Sequence, residues 1–174
     1  SLMSATPLTE TSNNAPILNL FTAQAENKDY SKYLSVKVKE SLRLIETKAS
    51  VILSSPEGDK SVEMPQWQKA YGMALSEAKE TSNPVAAFIA MYALKTIWGE
   101  QRKPEDYKLL AKTLYKHSLC EGYVSYGKVF ESGIVENKNL TKAKEIYEEG
   151  LKKCKVSFYP DVLNSAIARV EWTQ

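Results

Sequence analysis

Chemistry needs particular side chains at particular spacings, and this chain of 174 residues offers few of them. His117 is the only histidine, so a paired-histidine metal site is excluded and a Ser-His-Asp triad would have to run through this residue. Its place near the end of a helical pattern gives it a plainer role beside helix carbonyls. Cys120 and Cys154 match no zinc or redox spacing. They read as small buried hydrophobes, with a bridge between them as the alternative. Ser76-Glu77-Ala78-Lys79 and Ser125-Tyr126-Gly127-Lys128 have the Ser-x-x-Lys spacing of one acyl-enzyme mechanism, but neither Ser-Asp-Asn nor Lys-Thr-Gly accompanies them. A Gly-x-x-x-x-Gly-Lys-Ser/Thr phosphate loop is missing too. Glu145, Glu148 and Glu149 alternate with Lys144, Lys152 and Lys153, which is the pattern of a solvated helix face. No catalytic residue, metal or cofactor is expected.

Charge offers more. Lys108, Lys112 and Lys116 recur every four residues, so one side of a helix carries all three, with Arg102 and Lys103 just ahead of it. A solvated face is the plain reading, and a surface for an acidic partner is the functional one. Nucleic acid is a poor candidate, because the net charge is only +2 and no concentrated basic stripe occurs. The ten tyrosines lie mostly on apolar stripes and belong to core packing, although tyrosine is also favoured at interfaces.

Helices must position these groups. Apolar residues recur three and four apart from residue 14 onward, and no segment alternates as a strand would. The expected fold is all-α, with about eight helices in antiparallel hairpins. Starts are predicted near Pro16, Asp29, Pro65, Asn83-Pro84, Pro104, Glu121, Asn139 and Pro160-Asp161, and stops near Ser54–Gly58, Gly99 and Gly133. Residues 1–13, rich in Ser, Thr and Asn, read as a disordered lead-in. Residues 14–174 then form one helical repeat domain, with a hinge at 55–64.

The longest apolar run, Val85 to Leu94, is far short of a membrane span. Ser1 and Leu2 ahead of Met3 read as a cloning remnant before a native start, and Ser4 to Asn14 carries no apolar signal. That favours the cytoplasm, with a periplasmic or secreted location as the alternative if a leader was removed. Nothing in the sequence sets an oligomeric state.

Two segments echo one another: Ala111-Lys112-Thr113-Leu114-Tyr115 and Ala143-Lys144-Glu145-Ile146-Tyr147. From Tyr126 to Leu151 the chain resembles a Sel1-like repeat, a relative of tetratricopeptide hairpins. Gly127, Phe130, Gly133, Val135, Asn139, Lys142, Ala143 and Tyr147 stand where that family places its small, aromatic, turn and cap residues. Tyr126 departs from the usual Leu, Ile146 from the usual aromatic, and the loop is one Gly shorter. The resemblance implies a short right-handed superhelix and a non-enzymatic adaptor or scaffold, of the kind found in bacterial signalling, secretion and envelope processes. The expected partner is another protein. A small helical enzyme with a scattered carboxylate site and a weak nucleic-acid binder are the alternatives.

Overall fold

Proline and asparagine set many of the helix starts, because proline needs no hydrogen bond in a first turn and asparagine supplies one. A computed structural model describes residues 16–25, 29–54 and 64–173, apart from the side chains of 47–54 and 64. The N-terminal lead-in and nearly all of the hinge lie outside these residues, as do the side chains of Ala49 and Ile52. Among the described residues there are eight α-helices, one 3-10 turn and no strand. Packing joins consecutive helices within two compact units, one ending at Ile97 and the other beginning at Trp98.

The first unit contains α1 (Pro16–Ala25), a 3-10 turn (Ser31–Tyr33), α2 (Val36–Ser54), α3 (Met64–Thr81) and α4 (Pro84–Ile97). The second long helix starts at Val36 instead of near Asp29. Asp29 uses its carboxylate to accept from the Ser31 N–H and hydroxyl, which turns the chain, and the Ser35 hydroxyl then accepts from the Val38 N–H. Asn83 starts α4 as expected, accepting from the N–H groups of Val85 and Ala86 at 2.9 and 3.1 Å. Its amide also donates to the Tyr33 carbonyl at 2.7 Å, so one side chain fixes two turns that are 50 residues apart. Every residue from Pro84 to Met91 is buried, so α4 forms the centre of this unit. It packs on α1, α2 and α3.

The start of α1 is held by a side chain that the sequence reading passed over. Glu46, on α2, is buried and accepts from the N–H groups of Ile17 and Leu18 at 2.9 and 3.3 Å. Those donors have no partner inside their own helix, and a carboxylate there also meets the positive end of the helix dipole. Burial still dominates and pushes the Glu46 carboxyl up to about 7, against the pull of the two N–H groups.

The second unit is α5 (Pro104–Lys116), α6 (Cys120–Ser132), α7 (Leu140–Lys153) and α8 (Tyr159–Thr173). Here α5 packs on α6, α6 on α7, and α8 on both α6 and α7. Gly133 ends α6 in the left-handed conformation at φ +70°, and Asn139 opens α7 by accepting from the Lys142 N–H at 2.9 Å. The Asn139 N–H returns to the Phe130 carbonyl, which closes the loop between them. Gly127 lies directly against the Tyr147 ring, and any side chain at that position would collide with it. Ala143 and Tyr147 are fully buried, one turn apart on α7. Two further close approaches had no signal in the sequence: Gly122 meets the α5 backbone at Leu114 and Tyr115, and Gly150 meets Tyr123.

Candidate functional site

Cys120 opens α6 and Cys154 follows the end of α7, so the two stand at the same end of one hairpin. They are buried, as expected, and they are also joined in a disulfide with Cα atoms 5.6 Å apart. Of the two readings open from the sequence, the bridged alternative is the one observed, in place of free buried thiols. The spacing revealed nothing because the bridge depends on where two helices end, not on a local motif.

Neither Ser-x-x-Lys match assembles a nucleophile with its base. Ser125 is buried and donates to Glu121 at 2.6 Å, while Lys128 pairs with Glu100 at 3.0 Å. Ser76 receives Lys37 and donates to Glu80. His117 stands at the C-terminal cap of α5, its backbone N–H donating to the Thr113 carbonyl.

A cavity of about 370 Å³ opens in the second unit between the segment leading into α5, the start of α5 itself, α6, the loop after α6, and α8. Pro104, Tyr107, Val129, Ile134 and Val135 give it apolar walls, and Glu100, Lys128, Glu131 and Arg169 give it charged ones. The charges are paired with each other. Arg169 forks onto Glu131 through two bonds of 2.5 and 2.8 Å, and the buried Tyr147 hydroxyl donates to the same carboxylate at 2.6 Å. Burial alone would raise the Glu131 carboxyl, but the bonds from Arg169 and Tyr147 bring it below the usual range. Burial and the neighbouring Glu131 raise the Tyr147 hydroxyl well above its ordinary value. Glu131 thus ties α6, α7 and α8 together, and the cavity sets balanced charge beside apolar walls.

The lysine face lies on α5. Lys112 and Lys116 are exposed, whereas Lys108 forms an ion pair with Glu136 from the loop after α6. The hydrogen bond and charge of Lys108 pull the Glu136 carboxyl below its ordinary range, with further pull from Lys142 and Lys112. Beside these groups runs a series of rings: Tyr115 lies 4.9 Å from Tyr126, and Tyr126 lies 5.1 Å from Phe130. Lys142 sits 4.6 Å above the Phe130 ring. Tyr115 and Tyr126 are half-buried, so this face is partly aromatic at its surface. The Tyr115 hydroxyl donates to Glu149 at 2.8 Å, and that bond together with burial raises it to about 12. The spacing of the lysines was legible in the sequence, but Glu136 was not connected to them because it reaches α5 from a loop.

Among the described residues no helix is long and apolar enough to cross a membrane. No family profile, curated protein or solved structure matches the chain.

Proposed function

We propose that this chain is a non-enzymatic protein-interaction domain, an adaptor or scaffold, and that Trp98–Gln174 is a Sel1-like stack of hairpins with right-handed superhelical packing. The Sel1-like reading is supported at the positions that suggested it. Gly127 lies under Tyr147, Gly133 makes the turn, Asn139 caps, and Ala143 is buried in the hairpin. The observation that carries the interaction reading is the face where α5 and α7 lysines flank the half-buried rings of Tyr115 and Tyr126. Aromatic side chains with a polar, charged rim are the composition of protein interfaces.

The enzyme alternative looks for a buried carboxylate with a raised pKa in a pocket. Glu46 has the burial and the shift, but both of its oxygens are engaged by the start of α1. The paired charges around the second-unit cavity likewise suit binding better than proton transfer. The disulfide favours an oxidising compartment over the cytoplasm, which makes a periplasmic or secreted location our reading.

The test is capture from an extract of the native host by the intact chain, beside a variant with Lys108, Lys112 and Lys116 all changed to Glu. A discrete protein retained by the wild type, lost by the variant and released by salt is the expected result. Retention of nucleic acid or a small metabolite with no protein would overturn the reading.

A further inference from the structure

The lysine face is already occupied by a carboxylate of its own chain. Glu136 stands in the loop between α6 and α7, and that loop is pinned at one end by the left-handed Gly133 and at the other by the Asn139 N–H on the Phe130 carbonyl. The loop delivers Glu136 to Lys108, within the attraction of Lys112 and Lys142 as well. Glu105 also acts on Lys108, from one turn earlier on α5. The Lys108 and Glu136 side chains are 29% and 38% exposed, so water reaches the pair and another carboxylate could replace it. Next to the pair lie the half-buried rings of Tyr115 on α5 and Tyr126 on α6, backed by the buried Phe130.

Resting on the protein-interaction reading above, we propose that this face docks an acidic peptide segment of the partner and that Glu136 is an internal stand-in for the partner's carboxylate, displaced on binding. The chemistry of the face selects such a ligand. Lys108, Lys112, Lys116 and Lys142 outnumber Glu105, Glu136 and Glu149 by only one charge, so displacing Glu136 is what opens the face to a partner's carboxylate. The rings take an apolar or aromatic side chain placed between acidic ones. A nucleic-acid strand fits less well, because its continuous phosphates would run against Glu105, Glu136 and Glu149, whereas a peptide brings separate carboxylates that can be spaced to avoid them. Glu136 then works as a built-in competitor that lowers affinity for weakly acidic sequences and so sharpens selection.

The test uses the full chain and fluorescence polarisation of three labelled probes: a peptide alternating Glu with Leu and Phe, the same peptide with Lys for Glu, and a single-stranded oligothymidine of equal length. The acidic peptide should bind, and its affinity should fall as salt rises. Glu136→Gln should tighten it about two- to fivefold, the scale of one exposed ion pair, and Lys112→Glu should weaken it by at least as much. Thermal unfolding of both variants should match the wild type, since each change is at the surface. Equal affinity of wild type and Glu136→Gln, absence of acidic-peptide binding, or equally tight oligothymidine binding would each overturn the proposal. Host-protein capture that is indifferent to both substitutions would defeat this site and leave the interaction reading standing. Failure of every form to capture any protein would remove both.

Discussion

Reducing Cys120–Cys154 should loosen the second unit by an amount that the sequence separation sets. The bridge closes a loop with a separation of 34 residues. On the chain-entropy account, such a loop removes roughly 13 cal/mol/K from the unfolded ensemble, or about 3.8 kcal/mol at 25 °C. For a unit of this size each kcal/mol moves the midpoint by about 4–8 °C, so a fall of roughly 15–30 °C is expected. Differential scanning fluorimetry with and without a phosphine reductant measures it, and Cys120→Ala with Cys154→Ala should reproduce the reduced midpoint. Maleimide labelling in denaturant gives the independent check, since no thiol should react until reductant is added. Two reactive thiols in the unreduced, denatured protein, with a midpoint indifferent to reductant, would refute the bridge. That result would also remove the argument for an oxidising compartment.

Glu46 predicts a pH dependence of opposite sign to that of most carboxylates. Its folded pKa, about 7, lies above the ordinary 4.5, so its contribution is fully present below 4.5 and is lost as pH rises through 7. The loss amounts to about 3 kcal/mol, and Glu46→Gln should flatten that part of a urea-unfolding series between pH 5 and 8. Ala143→Leu should overpack the α6–α7 hairpin and cost roughly 1–3 kcal/mol in urea unfolding, and a neutral result would show that the hairpin has room there. Asn83→Ala removes a buried cap and its bond to Tyr33 together, and should lower stability by about 1–3 kcal/mol, read from the same transition.

Local chemistry was the legible part of this fold. Asn83, Pro84, Gly99, Gly133 and Asn139 each mark a boundary where the sequence placed it, through effects within one turn of chain, and only the added bond from Asn83 to Tyr33 is long-range. Asp29 misled because its carboxylate can start either a helix or a turn, and the Ser31 hydroxyl decides for the turn. What stayed hidden depends on residues brought together from far apart. Glu46 lies 29 residues from the N–H it holds, and Arg169 lies 38 from Glu131. In sequence both look like ordinary surface charges. The lysine face fell between these cases: its spacing of four and Tyr115 are local to α5, but Glu136, which neutralises Lys108, comes from a loop and the rings of Tyr126 and Phe130 come from α6. Gly122 and Gly150 were unreadable for a related reason, since a glycine chosen for close approach shows its cause only in the helix opposite.

The bridge at the open end of the α6–α7 hairpin also governs how this chain would carry tension. A pull applied on either side of the hairpin passes from Cys120 to Cys154 through two sulfur atoms and leaves the enclosed helices out of the load path. Oxidised, the chain cannot lengthen between Cys120 and Cys154, a separation of 34, however far the rest is drawn out. Reduced, it regains about 120 Å of extensible contour. A tether between two anchored partners would therefore have its maximum reach set by the redox state of a single bond.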